Sequence, residues 1–134
     1  MGGLVTREQA AAFVSNYGQT WERWDIDGFV ELFSEDVVYV AHATDETVVG
    51  RPALSAYVEK EKSEQGAVRV RMGVPVIDAD RVVAEFWVNS REQPATTVAG
   101  CLIARLAPPG ICDRFREYWF DIEGDIEAFA GWGE

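Results

Sequence analysis

The second half of the chain contains four strand-like runs joined by short turns, and this pattern limits the possible folds more than any other feature. The runs are rich in β-branched and aromatic residues and comprise residues 67–77, 81–89, 96–106 and 111–121. Because short links join antiparallel neighbours, the pattern predicts an antiparallel meander. Gly73, Pro75 and Gly100 lie inside the runs and predict bends that would let the sheet curl.

Helices are predicted before the sheet. The first begins after Thr6, which fits a capping box with Gln9, and it carries an aromatic stripe at three- and four-residue spacing. Asp25 is predicted to cap a second helix over residues 26–33. The alternative for DIDG, a calcium loop, lacks the remaining ligands. Pro52 fits the first position of a third helix.

Shorter segments complete the predicted element order. Residues 37–41 predict a strand, residues 44–47 a polar turn, and residues 48–49 a brief return strand. The mixed-charge run 59–64 is interpreted as the solvated end of the third helix. The tail, residues 123–134, carries apolar residues at helical spacing and predicts a small lid.

Size and charge restrict the class of partner. At 134 residues, the chain is expected to form a single domain, residues 1–134, with one modest pocket. Its formal net charge of −11 repels phosphate and anionic lipid, so neither nucleic-acid nor membrane partners are expected. Without a secretory leader or a membrane-length apolar run, a cytoplasmic location is expected. Cys101 and Cys112 are accordingly expected to be free, although a disulfide is possible.

The run 111–121 contains a carboxylate between two large rings. Read at period two, it places Phe115, Glu117 and Trp119 on one face. An acid in an apolar setting has a raised pKa, which suits proton transfer near neutral pH. If a cavity surrounds this strand, Glu117 is the predicted acid–base group. The alternative is that Glu117 faces water and pairs with a neighbouring Arg.

Other polar side chains are candidates for the same site. His42, the one histidine, has the pKa range of a proton shuttle, or it simply ends a strand. Three tyrosines are candidate donors to a developing oxyanion, or core residues with satisfied hydroxyls: Tyr17, Tyr39 and Tyr57. Asn89 could orient a substrate carbonyl or water. No recognisable metal, nucleotide or serine-nucleophile motif occurs, so no metal and no cofactor are predicted.

Apolar side chains are expected to form the pocket wall and an interface. A flat organic ligand could be surrounded by Trp21, Trp87 and Trp119. Alternatively, these residues belong to the core or a dimer interface. The full expected lining is Trp21, Phe33, Leu54, Val58, Met72, Trp87, Asn89, Cys101, Phe115 and Trp119. An exposed sheet face is expected to form a homodimer because it is too apolar for water, and its residues are Val82, Ala84, Phe86 and Val88.

Three segments resemble a known family. WDIDGFVELFSEDVVY at 24–39 resembles the helix–helix–strand opening of the nuclear transport factor 2-like superfamily. GRPAL at 50–54 is similar to its third-helix entry, and RFREYW at 114–119 to its last strand. The nearest group is the SnoaL-like one, which includes polyketide cyclases; ketosteroid isomerases and limonene epoxide hydrolases are relatives. The resemblance implies an α+β conical fold with three N-terminal helices packed in a curled antiparallel sheet.

The residues of these relatives carry over only in part. The general base of ketosteroid isomerases corresponds to Ala41, so that base is missing. The R-D-Y motif of limonene epoxide hydrolases is similar to REY at 116–118, but their R-x-D pair has no clear equivalent at 84–89. In SnoaL-like cyclases a late-strand acid acts with a histidine, and Glu117 and His42 could match those roles.

Residues and resemblance together lead to two hypotheses. The first is a cofactor-independent acid–base enzyme, such as an isomerase, cyclase, dehydratase or epoxide-hydrolase-like protein, acting on a small hydrophobic organic molecule. The second is a non-catalytic small-molecule-binding or assembly protein of the same fold. Two acid–base groups facing a wet cavity would favour the enzyme, whereas a sealed or ring-only cavity would favour the binder.

Overall fold

The computed structural model describes residues 4–42 and 47–134, so the predicted turn at 44–47 lies almost wholly outside the described residues. The elements are α1 (Arg7–Arg23), α2 (Ile26–Val30), β1 (Phe33–Val40), β2 (Thr47–Val49), α3 (Arg51–Gln65), β3 (Val68–Met72), β4 (Val76–Asp78), β5 (Arg81–Ser90), β6 (Thr96–Ala107) and β7 (Ile111–Glu123). The helices pack against a curled, unclosed sheet, which confirms the α+β conical fold.

The sheet has the strand order β2-β1-β7-β6-β5-β3, with β4 also paired to β5. Antiparallel ladders join β5 to β6 and β6 to β7, as the short turns predicted. One pairing differs from an all-antiparallel sheet, because β1 runs parallel to β7 with Tyr39 opposite Phe115. No hairpin links these two strands, so their relative direction follows from the path of the whole chain and cannot be read from turn length.

Glycines shape the sheet at two places. The run 67–77 breaks into β3 and β4 around Gly73, which confirms the predicted bend. At Gly100, by contrast, the ladder continues, with Phe86 and Trp119 as its partners. An added Cβ at Gly100 would meet the β7 backbone and Trp119. Gly100 therefore permits a close approach between strands, and the register shift in β6 lies between Arg105 and Leu106 instead.

The predicted helix starts are largely correct. Thr6 and Gln9 form the capping box, with the Gln9 backbone N donating to the Thr6 hydroxyl at 3.0 Å. Asp25 caps α2 by accepting from the Gly28 backbone N at 3.1 Å. The second helix ends at Val30 rather than residue 33 because the following residues enter the sheet: the backbone N of Cys112 donates to Leu32 O at 2.9 Å. No described helix is both long and apolar enough to cross a membrane.

The inner face of the sheet, the face packed against the helices, is made of alternate residues that include Val82, Ala84, Phe86 and Val88. These side chains are at most 2% exposed, and the Phe86 ring lies 5.5 Å from that of Trp21 on α1. Their predicted placement on an exposed dimerisation face is therefore wrong. Both faces of β5 are rich in apolar residues, so strand periodicity alone could not identify the face that meets the helices.

The C-terminal tail lies against the opposite, outer face of the sheet. Trp87 Nε1 donates to Ile126 O at 2.9 Å, and the Val74 backbone N donates to Gly133 O at 2.7 Å. Arg71 lies over the Trp132 ring, 5.1 Å from its centre. The predicted helical lid is therefore wrong: residues 124–129 are irregular, residues 130–133 form a turn, and this tail covers Trp87.

Candidate functional site

The helices and the inner face of the sheet enclose a cavity of about 560 Å³. Its wall is largely aromatic, with rings from all three helices and from three strands: Tyr17, Trp21, Trp24, Phe29, Tyr39, Tyr57, Phe86 and Trp119. The volume falls within the range found for small-molecule sites, and such sites combine an apolar wall with few polar groups. The cavity is therefore the candidate binding site.

Glu117 projects from β7 into this cavity. Its side chain is 6% exposed, and each of its carboxyl oxygens accepts a hydrogen bond from a tyrosine. The Tyr17 hydroxyl donates to Oε2 at 2.7 Å, and the Tyr39 hydroxyl donates to Oε1 at 3.1 Å. Helix α1 and strands β1 and β7, which are far apart in sequence, thus meet at one carboxyl group. The expected grouping of Glu117, Tyr17 and Tyr39 is present in the structure.

Burial raises the pKa of Glu117 to about 8, from an ordinary value of 4.5. The hydrogen bonds from Tyr17 and Tyr39 favour the charged form and lower this pKa, while the nearby charge of Glu61 raises it. Loss of hydration outweighs the two tyrosine donors. At pH 7 the group is therefore protonated in about ten molecules for each one in which it is ionised.

The two tyrosines remain donors throughout the physiological range. Burial, followed by the charge of Glu117, raises the pKa of both Tyr17 and Tyr39 well above 10.0. Their positions are fixed by ring packing around Phe115: the Tyr39 ring stacks on it at 4.6 Å, and the Tyr17 ring lies 5.5 Å away. A donor pair held this rigidly supplies two O–H groups without reorganisation when Glu117 becomes negative.

One face of α3 contributes further polar groups to the cavity. Tyr57, Glu61 and Gln65 recur at four-residue spacing and all line it, as does Glu64. Gln65 Nε2 donates to Glu61 Oε2 at 2.7 Å, and Gln65 Oε1 accepts from Trp21 Nε1 at 3.1 Å. Burial raises the pKa of Glu61. The interpretation of residues 59–64 as merely a solvated end is therefore wrong for Glu61, which is half-buried, whereas Glu64 is exposed.

Tyr57 was a candidate from sequence, whereas the roles of Glu61 and Gln65 were missed because the charges of 59–64 concealed the periodicity of this face. The buried Leu54 and Val58 show which side of α3 faces the interior, and Glu61 follows at the spacing of that side. The signal was thus present in the sequence. It is weak, however, because a Glu at the end of an amphipathic helix is usually solvated.

The ionisable side chains of the described cavity wall include acids but no cationic residue type. Among the described residues that line it, Glu61, Glu64, Glu92, Glu117 and Asp121 are acidic, and none is Lys, Arg or His. An anionic ligand would meet no neutralising group there. Within residues 4–42 and 47–134, no three His, Cys, Asp or Glu side chains are grouped to hold a metal ion.

The residues expected to line the pocket fall into distinct groups. Trp21, Val58 and Trp119 do line the cavity. Phe33, Leu54 and Phe115 are at most 3% exposed and pack in the core beneath it. Met72 instead borders a separate shallow depression beside Gly18 of α1. The three core residues support the wall without lining it, since the tyrosine and tryptophan rings lie above them.

Trp87, Asn89 and Cys101 lie on the outer face of the sheet, so their expected place in the pocket is corrected. Asn89 Nδ2 donates to Asp125 Oδ1 at 2.8 Å, in the tail. Trp87 and Asn89 are each 7% exposed because the tail covers them. Burial by a segment far along the chain cannot be distinguished from burial in a pocket by strand pattern alone. Cys101 and Cys112 are free, as expected.

His42 lies beside Trp119 and does not line the cavity. Its Nε2 is 3.4 Å from Trp119 O, and its ring packs edge-on against the indole at 4.6 Å. It follows β1, beyond the ladder that places Tyr39 opposite Phe115. The structure thus brings Tyr17, Tyr39 and Glu117 together and leaves His42 outside the group.

The fold and the sequence both have recognisable relatives. The enzyme SalBIII, described as epoxide hydrolase/cyclase-like with a role in pyran ring formation in the polyether salinomycin, is 18% identical with a TM-score of 0.76, over 87% of this chain and 97% of that one. Rv0760c from Mycobacterium tuberculosis is 16% identical with a TM-score of 0.77, over 90% of this chain and 99% of that one. Identities this low show similarity of fold alone.

Sequence comparison identifies the family more directly. No match is found to curated proteins. The SnoaL-like domain, by contrast, matches residues 14–112, which run from the middle of α1 to the start of β7. Together with the curled sheet and the helices packed against its inner face, this match shows that the chain belongs to the SnoaL-like domain family, within the nuclear transport factor 2-like superfamily.

Proposed function

We propose that the protein is a cofactor-independent acid–base enzyme that acts on a small hydrophobic organic molecule in the cavity, with Glu117 as its principal acid–base group. The observation that supports this most is the buried Glu117 carboxyl, held between the Tyr17 and Tyr39 hydroxyls at 2.7 and 3.1 Å. A structural carboxyl has no need of a cavity beside it. Here the group borders about 560 Å³ of space.

The chemistry follows from the protonation state of Glu117. With a pKa of about 8, the carboxyl carries a proton at neutral pH and donates it to a substrate oxygen. The carboxylate left behind is stabilised by the O–H groups of Tyr17 and Tyr39, which already point at its oxygens. Above pH 8 the same group is ionised and removes a proton from a substrate instead.

The residues of the cavity wall favour an uncharged, ring-containing or polycyclic substrate. Aromatic rings supply apolar contact, and the acidic lining with no Lys, Arg or His disfavours carboxylates and phosphates. Proton donation to an epoxide or carbonyl oxygen is compatible with isomerisation, cyclisation, dehydration or epoxide opening. SalBIII, described as epoxide hydrolase/cyclase-like, is a structural neighbour with chemistry of this kind.

The test uses 5-nitrobenzisoxazole, an uncharged probe that reports any base in an apolar cavity. The base removes the C3 proton, the N–O bond breaks, and coloured 2-cyano-4-nitrophenolate forms. We expect the enzymatic rate to rise as Glu117 ionises near pH 8. We expect Glu117→Gln to lower the rate on that limb by about 10²-fold.

Glu127→Gln, in the exposed tail, is the matched control and should behave as wild type. The rival function is a non-catalytic binding or assembly protein. Binding of the probe, seen as quenching of tryptophan fluorescence, without any turnover limb that depends on Glu117 would favour that rival.

A homodimer and a cytoplasmic location remain predictions. The face first expected to form the dimer is buried, so we propose the outer face, where Tyr118 is 41% and Phe120 is 64% exposed. Light scattering should give twice the chain mass for wild type and a monomer for Phe120→Asp. A monomeric wild type would refute the dimer, and fractionation of cells would test the location.

A further inference from the structure

A second carboxyl, that of Glu61, borders the same cavity as Glu117 but comes from a different element. Glu61 lies on α3 and Glu117 on β7, so helix and sheet each supply one acid to the enclosed space. The two are close enough for the charge of Glu61 to raise the pKa of Glu117. The sequence interpretation gave no role to Glu61.

The orientation of Glu61 is held by neighbouring side chains. Gln65 Nε2 donates to its Oε2 at 2.7 Å, and Gln65 is itself fixed by Trp21 Nε1 at 3.1 Å. The hydroxyl of Tyr57, one helical turn earlier, also favours the charged form of Glu61. These hydrogen bonds, from Trp21 to Gln65 and from Gln65 to Glu61, fix one carboxyl at the cavity wall. A solvated surface Glu would not require them.

The two acids differ in their access to water. Glu117 is 6% exposed, whereas Glu61 is only half-buried. Since loss of hydration disfavours the charged form, Glu61 ionises before Glu117 as pH rises. Glu61 is therefore the readier base of the two, and Glu117 the readier acid. Pairs of carboxyls whose environments separate their protonation in this way divide the roles of base and acid.

We propose that Glu61 is a second catalytic group of the cavity, the base that works with Glu117 as the acid. The inference rests on the proposed acid–base function and deepens it by completing the proton transfer. Glu61 removes a proton from the substrate while Glu117 gives its own proton to a substrate oxygen. The substrate's proton count is unchanged, and solvent exchange at the mouth returns both groups to their starting states.

With 5-nitrobenzisoxazole, the reaction transfers one proton to Glu61 and breaks one N–O bond. Glu61 accepts the C3 proton, the C–H electrons form the nitrile, and the N–O bond breaks. The phenolate oxygen that leaves receives the Glu117 proton or departs as the anion. No oxidant, reductant or further reactant is consumed, so the variants at Glu61 and Glu117 show which carboxyl acts on the probe.

The experiment is a pH–rate profile for wild type, Glu61→Gln, Glu117→Gln and the control Glu59→Gln, an exposed residue on the same helix. We expect two limbs in wild type, one that develops at lower pH as Glu61 ionises and one near pH 8. Glu61→Gln should lower the first limb by about 10²-fold and keep the second. Glu117→Gln should lose the second limb and lower the first, because Gln cannot give the proton to the leaving oxygen, and Glu59→Gln should keep both.

The limbs separate the two claims. The role of Glu61 is overturned if wild type has no low-pH limb. It is also overturned if that limb is equally strong in Glu61→Gln and Glu59→Gln, whatever the rate does near pH 8. If wild type shows the low-pH limb but no limb near pH 8, the proposed role of Glu117 is overturned instead.

A measurement without turnover provides an independent check. A ¹³C NMR titration of the Glu117 carboxyl should give a lower midpoint in Glu61→Gln than in wild type, because a like charge has been removed. The midpoint in Glu59→Gln should equal that of wild type. An unchanged midpoint in a folded Glu61→Gln protein would show that the two carboxyls do not share the cavity, and the proposal would be abandoned.

Discussion

Replacing Glu117 with Gln is expected to change how the free energy of unfolding depends on pH. In the unfolded chain this carboxyl loses its proton near its ordinary pKa of 4.5, whereas in the folded protein it keeps the proton until about pH 8. The folded state thus binds more protons between these values, so the carboxyl's contribution to stability falls as pH rises. Below pH 4.5 that contribution is fully present, and above pH 8 it has been lost.

The magnitude follows from the same two pKa values. The interval from 4.5 to about 8, at about 1.4 kcal/mol per pH unit, corresponds to about 5 kcal/mol. The carboxyl is fully buried, so little solvent screening reduces this value. Relative to Glu117→Gln, wild type should lose about 2 kcal/mol between pH 4.5 and 6 and about 4 kcal/mol between pH 4.5 and 9.

The assay is urea unfolding followed by tryptophan fluorescence at half-unit steps from pH 4.5 to 9. A constant offset between the two proteins reflects packing of the amide and carries no information about Glu117 ionisation; only the change in the difference with pH matters. Glu127→Gln, in the exposed tail, should follow the wild-type curve. Parallel curves for wild type and Glu117→Gln would refute the buried, protonated carboxyl.

Three further predictions concern the tyrosine donors, the cavity charge and the sheet. Tyr17→Phe should raise the pKa of Glu117 further because it removes the 2.7 Å donor, and Tyr39→Phe should do so less at 3.1 Å; the NMR titration measures both, and a fall would contradict the assignment. Calorimetry should show 2-naphthylmethanol binding more tightly than 2-naphthoate, because no cation lines the described cavity; tighter binding of the acid would contradict this. Gly100→Ala should destabilise the protein by about 3 kcal/mol, since its Cβ would meet the β7 backbone; an unchanged melting temperature would count against that contact.

Local pattern was enough to predict much of the fold. Period-two alternation placed Phe115, Glu117 and Trp119 on one face, and the helical stripe placed Tyr17 on the buried side of α1. These inferences succeeded because each depends on the geometry of one element. The resemblance of the opening and last-strand segments then supplied the arrangement of the elements, which single-element periodicity does not contain.

The errors concern relations between distant segments. Trp87 and Asn89 are buried as expected of pocket residues, but the tail buries them on the outer face. Phe86 and Trp87 are both large and apolar, so neither marks the inner side of β5. Glu61 was missed because its neighbours in sequence are charged, while its neighbours in space, Gln65 and Trp21, are partly buried. Burial depends on tertiary contacts that no local window contains.

A ¹³C NMR titration of the Glu117 side-chain carboxyl shows whether this buried acid stands protonated in the ring-walled cavity. Glu117→Gln identifies the resonance by its disappearance. We expect a midpoint of about 8. A midpoint near the ordinary value of 4.5 would show a hydrated or charge-paired carboxylate and would contradict the account.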